Sequence, residues 1–127
     1  MEKLSEGATH TFERTFTRED VRQFAAVSGD TQERHTEPDE DGRLMVHGLL
    51  TATLPTKIGG DLEVLAHTME FEFRKPVYTG ETIGCTWTME RVEKQGDRYE
   101  ITADVVCERG DDVVLTATVD GLVRDDS

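Results

Sequence analysis

Lysine is scarce in this chain. Lys3, Lys57, Lys75 and Lys94 are its only lysines among 14 basic residues, against 27 acids, and the formal charge is −13. A surface of that sign repels nucleic acid and anionic membranes, so neither is expected as a partner. The acids are spread along the chain rather than gathered in a tail, and read as the coating of a folded surface. Strong salt screens their repulsion, since the Debye length falls to about 3 Å at 1 M; the composition therefore points to the salt-rich cytoplasm of a halophile. No apolar run approaches the length of a membrane span. The opening MEKLSEGATHTFER is charged from its second residue, so no secretory leader is expected and the location should be cytoplasmic. Cys85 and Cys107 are the only cysteines, without a CxxC, which excludes a usual zinc site; no metal site is expected, and the thiols should be reduced. Apolar residues, at 35%, are few and charged ones, at 32%, many, a balance that by itself leans toward disorder. What decides otherwise is that the apolar residues are periodic.

With 127 residues the chain is the size of one domain, residues 1–127. Phe12 and Phe16 share one side of an alternating stretch, a predicted strand. Thr17 reads as a helix N-cap with Asp20 three residues on, and a helix over 18–28 would bury Val21, Phe24, Ala25 and Val27 before Gly29 ends it. Residues 31–43 are polar, contain Pro38 and Gly42, and read as a loop. Leu49, Leu50, Ala52, Leu54 and Ile58 then mark a nearly all-apolar helix opened by Gly48 and closed by Gly59 and Gly60. Pro55 inside it should kink it or end it early. From Leu62 the period changes to two. Leu65, His67, Met69, Phe71 and Phe73 would face the core, as would Ile83, Cys85, Trp87 and Met89. The next inner faces are Tyr99, Ile101, Ala103, Val105 and Cys107, then Leu115, Ala117, Val119 and Val123. Turns fall at Gly96 and Gly110. Cys85 and Cys107 should lie opposite each other as buried thiols.

The order predicts an α+β fold. A helix with so little polar face must be covered on most sides, most simply by a curved antiparallel sheet wrapped around it. That arrangement is the hot-dog fold: one domain, a long central helix in a curved sheet.

The stretch SGDTQERH carries the chemistry. A loop can bring Asp30 and His35 to one point, where a carboxylate and an imidazole around one water can remove a proton and deliver one. Gly48 opens the buried helix, where backbone N–H groups are unpaired and could hold negative charge on a carbonyl oxygen. Such a set suits adding or removing water beside a carbonyl.

FTREDVRQFAAVSGDTQERH followed by MVHGLL resembles the MaoC-like dehydratases, which include the (R)-specific enoyl-CoA hydratases. Their pattern is S-G-D-x-N-P-x-H, followed by H-G at the start of the central helix. FEFRKPVYTGETI is similar to a later strand of that family, so the resemblance runs over most of the chain. It implies that Asp30 and His35 activate the water that adds to C3 of a trans-2-enoyl thioester and supply the proton for C2. It implies further that the Gly48 N–H binds the thioester oxygen, that the chain works as a homodimer, and that no metal or redox cofactor is needed. Coenzyme A or an acyl carrier would be the handle of the substrate. Gln32, His47 and Thr56 are the candidate substrate contacts, His47 serving alternatively as a hydrogen-bonded structural residue. The chain departs from the pattern at Gln32-Glu33, where the family has Asn-Pro, and in a shortened stretch between His35 and His47.

Without the resemblance, Asp30 reads as a turn residue and His35 as a loop histidine. His67 sits in an apolar alternation and is expected in the core or lining a pocket; His10 has no evident partner. The acid run of residues 37–42 lacks calcium-loop spacing and reads as solvated surface. A hot-dog thioesterase would use a carboxylate on the central helix, and residues 48–59 hold none. A non-catalytic thioester binder is the other alternative.

Overall fold

The computed structural model describes residues 2–125. After a short 3-10 turn, β1 (Thr9–Thr15) leads into α1 (Arg18–Ser28). The start of α1 is closed by a reciprocal capping box. Asp20 N–H donates to the Thr17 hydroxyl and Thr17 N–H to the Asp20 carboxylate. Gly29 ends it at φ 79°, a conformation that favours glycine, and its N–H returns to the Ala25 carbonyl. Val21 and Ala25 are buried, whereas Val27, expected on the same face, is 87% exposed.

Residues 31–43 are not all loop. A single helical turn, α2 (Glu33–Thr36), lies within them. The acid run that follows folds on itself: Asp39 accepts from the backbone N–H groups of Asp41 and Arg43 and from the Arg43 side chain.

The central helix is present but is not one long rod. It forms as α3 (Gly48–Thr51) and α4 (Thr53–Asp61), joined at Ala52. Pro55 is the cause: it has no N–H for the Thr51 carbonyl, and the next donor, Thr56 N–H, reaches Ala52 only at 3.4 Å. Threonine hydroxyls take up the helix carbonyls, Thr53 bonding Leu50 and Thr56 bonding Ala52.

Four further strands follow: β2 (Leu65–Phe73), β3 (Thr82–Gln95), β4 (Arg98–Arg109) and β5 (Asp112–Arg124). All pairings are antiparallel, in the order β1-β3-β4-β5-β2. The β3–β4 and β4–β5 hairpins turn at Gly96 (φ 65°) and Gly110 (φ 60°). Ile83, Cys85, Trp87 and Met89 of β3 are buried, with Ile101, Ala103, Val105 and Cys107 of β4 and Leu115, Ala117, Val119 and Val123 of β5. The central helix rests on this face. A Cβ on Gly59 would stand 3.3 Å from the Trp87 ring, so glycine lets helix and sheet approach closely. Cys85 and Cys107 are directly opposed and both thiols are free. Their mutual hydrogen bond, and then burial, push the Cys107 thiol up.

β2 departs from expectation. Leu65 is 67% exposed, Phe73 54% and Met69 39%, and His67 is exposed too, bonded only to the neighbouring Thr68 hydroxyl; Phe71 alone is half-buried. Alternation reports that a strand has an apolar face, not that something covers it. β2 is an edge strand, paired with β5 alone, and its apolar face remains open. Every described acid is at least partly exposed. Among the described residues no helix is long and apolar enough to cross a membrane.

Candidate active site

The left-handed turn at Gly29 sends the chain out of α1 and positions Asp30, whose N–H donates to the Ser28 hydroxyl at 3.1 Å. The Asp30 carboxylate then accepts from the Gln32 side-chain amide at 3.0 Å and from Gln32 N–H at 3.3 Å. The Gln32 amide, with smaller contributions from its backbone N–H and from His35 and His47, outweighs desolvation and holds the Asp30 carboxyl below the usual carboxylate range.

His35 lies in α2 and is 5% exposed. Its Nδ1 is 2.7 Å from the Met45 carbonyl oxygen. A carbonyl only accepts, so Nδ1 carries the proton and the lone pair is on Nε2. That Nε2 stands 3.7 Å from Asp30 Oδ2. Two acceptors at this separation can share the two protons of one water.

His47 secures the arrangement. It is 3% exposed, and its Nε2–H donates to the Asp30 carbonyl at 2.9 Å. Its ring stacks on His35 with centroids 3.7 Å apart and planes within 15°, and meets Phe24 at 4.8 Å. One side chain thus ties the Asp30 loop, the His35 ring and α1 together. His47 Nδ1 has no partner. Asp30, His35 and His47 bring ligand atoms within 4.8 Å of one another. Imidazole lone pairs lie in the ring planes, and these two planes are nearly parallel, so the rings do not converge on one centre, a poor fit to a tetrahedral metal.

Gly48 follows directly. As the first residue of α3 its N–H has no turn before it to bond, and no acceptor meets it among the described residues. Gly48, His35, Gln32 and Thr51 line a cavity of about 450 Å³ whose apolar wall includes Phe73 and Val77. A Cβ on Gly48 would come within 2.8 Å of the Phe73 ring, so this glycine leaves space for that wall.

Asp30, His35, His47, Gly48 and Gln32 are therefore brought together, although Gln32 turns its amide onto Asp30. Thr56 is not brought with them: it is exposed, and its hydroxyl bonds Ala52 of its own helix. Thr51, buried and in the cavity wall, stands where Thr56 was expected. The signal for it was its spacing, three residues after Gly48 and so on the same helix face. His10 is remote from the site, bonded to the Lys3 carbonyl.

No protein-family model and no curated protein matches this chain. Solved structures do. A protein from Archaeoglobus fulgidus is 29% identical, with a TM-score of 0.80 over 95% of this chain and 79% of its own. An (R)-hydratase from A. caviae involved in PHA biosynthesis is 21% identical, with a TM-score of 0.78 over 96% of this chain and 98% of its own. A MaoC-like dehydratase from Rhodospirillum rubrum is 17% identical, with a TM-score of 0.78 over 98% of this chain and 95% of its own. The structural neighbours of this chain include (R)-hydratases and MaoC-like dehydratases, and the fold it shares with them is the hot dog.

Proposed function

We propose that this hot-dog domain reversibly hydrates trans-2-enoyl thioesters to 3-hydroxyacyl thioesters in a salt-rich cytoplasm. The observation that carries the reading is that His35 and the unpaired Gly48 N–H line one cavity, with the Asp30 carboxylate 3.7 Å from the imidazole lone pair. The (R) hand of the product is taken from the similar (R)-hydratase.

Water donates one hydrogen to Asp30 and the other to His35 Nε2. A carboxylate held ionised by Gln32 is a poor proton acceptor, so Asp30 orients the water and His35 takes its proton. The water oxygen bonds to C3 as the C2=C3 electron pair moves toward the thioester carbonyl. The negative charge that develops on that oxygen is met by the Gly48 N–H. The imidazolium then returns the proton to C2, the carbonyl re-forms, and the net change is addition of one water. No step draws on a metal or redox cofactor. The handle is coenzyme A or an acyl carrier. The open edge and apolar face of β2 favour association of two copies; sedimentation in molar salt should give a dimer, and a monomer would end that part of the reading.

The test is crotonyl-CoA in molar salt, following the conjugated enoyl absorbance with free thiol measured in parallel. Loss of absorbance without thiol is expected. Thiol release would instead mark a thioesterase. That reading has little support, because the carboxylate ending α4, Asp61, is paired with Lys57. Neither signal, over several chain lengths with folded protein, would remove the hydratase reading.

A further inference from the structure

The cavity wall inverts the charge of the rest of the molecule. Its lining contains Arg34, Arg74 and Lys75 and not one carboxylate, in a chain of 27 acids and 14 bases. Arg34 directly precedes His35 on α2, and its guanidinium has no hydrogen-bond or ion-pair partner among the described residues. Arg74 and Lys75 follow Phe73 at the end of β2, so cations stand on two separate elements around one cavity. Arg74 bonds the Thr116 hydroxyl at 3.2 Å and lies 3.6 Å from Glu72. Lys75 meets Asp112 at 2.8 Å, and Asp112 is shared with Arg109 at 3.5 Å. The Glu72 and Asp112 side chains are 68% and 49% exposed, and pairs this open to water hold their partners weakly. Both cations can therefore turn to a better anion.

A chain this acidic repels anions over most of its surface. A cationic rim at the cavity that His35 and Gly48 line gives an anionic ligand a favoured approach. We propose that Arg34, Arg74 and Lys75 form a phosphate-binding rim for the handle of the thioester, leaving the acyl chain to the apolar wall. This rests on the hydratase reading and deepens it, because it assigns selection of the handle to named side chains. Guanidinium groups suit phosphate oxygens through paired N–H donors, and an ammonium adds a point charge. The shared chemistry is a phosphate ester on a pantetheine arm, whether from coenzyme A or from a phosphopantetheine group.

The experiment compares three crotonyl thioesters, of pantetheine, of 4′-phosphopantetheine and of coenzyme A, at the lowest salt that keeps the protein folded. The wild-type chain and the triple variant Arg34→Gln/Arg74→Gln/Lys75→Gln are measured side by side, with circular dichroism confirming that both are folded. In the wild type kcat/KM should favour the phosphate-bearing thioesters over the pantetheine thioester. In the variant that preference should fall about tenfold or more, mostly through KM. A fall as large with phosphopantetheine as with coenzyme A places one phosphate at the rim; a larger fall with coenzyme A places its nucleotide phosphates there as well. An unchanged preference, or equal loss on all three substrates, would overturn the proposal. If no thioester turns over, the hydratase reading fails separately, and calorimetric titration of the same ligands still tests the rim: binding that ignores the phosphates, or the three substitutions, rejects it.

Discussion

Asp30→Asn should lower kcat on crotonyl-CoA by about 10²–10⁴-fold, the range for disabling general acid–base catalysis, because His35 loses the carboxylate that aligns its water, and leave the circular dichroism spectrum unchanged. The substitution is nearly isosteric, and the contacts that build the loop survive it. The Asp30 carbonyl still accepts from His47, the backbone N–H still reaches Ser28, and an amide oxygen can still accept from Gln32. What is lost is the negative charge 3.7 Å from His35 Nε2 that orients the water and balances the transient imidazolium. Full activity in Asp30→Asn would remove the proposed pair. Gln32→Ala is the milder counterpart. The Gln32 amide is the largest cause of the lowered Asp30 pKa, and it acts by favouring the charged form. Without it the pKa rises toward the ordinary carboxylate value, and the Asp30 carboxyl titration followed by NMR should move to higher pH. A midpoint that stays in place would mean that Gln32 does not hold the carboxylate in its charged form.

The features legible in the sequence were those set by neighbours in the chain. Thr17 and Asp20 close α1 through each other, and Gly29 ends it by its own φ. Gly96 and Gly110 fix the hairpins, and the bulge between Met89 and Arg91 then sets Cys85 opposite Cys107. The break in the central helix follows from the missing N–H of Pro55 alone. Distant partners were not legible. β2 alternates as well as β3 does, and only the strand order makes it an edge. The turn α2 is too short to show a period, yet it aims His35. Asp30, His35 and Gly48 were readable as a set because their residue types and order suggest one chemistry. The stacking of His47 on His35 depends on two segments meeting in space. Thr51, by contrast, was within reach of the sequence, because it stands three residues after Gly48 on one helix face.

The kink begins just beyond the residue whose amide can be tested most directly. Gly48→Pro should lower kcat about 10²–10³-fold relative to Gly48→Ala, the cost of removing one donor to a developing oxyanion. Proline is tolerated at the first position of a helix, where its missing N–H bonds nothing within the helix. The residue before a proline must be extended, and His47 already is, at φ −60° and ψ 141°. Both replacements add a Cβ that would approach the Phe73 ring to 2.8 Å. That ring is the far end of a side chain 54% exposed, so it can swing aside, and Gly48→Ala measures what its displacement does to the cavity. The two variants then differ in the N–H and in the proline ring carbons that take its place. If the amide binds the thioester oxygen as charge develops, alanine keeps most of the rate and proline loses it, with the change in kcat rather than in KM. Equal rates in the two variants would mean that the oxygen is held by some other group and that Gly48 serves only to leave room for Phe73.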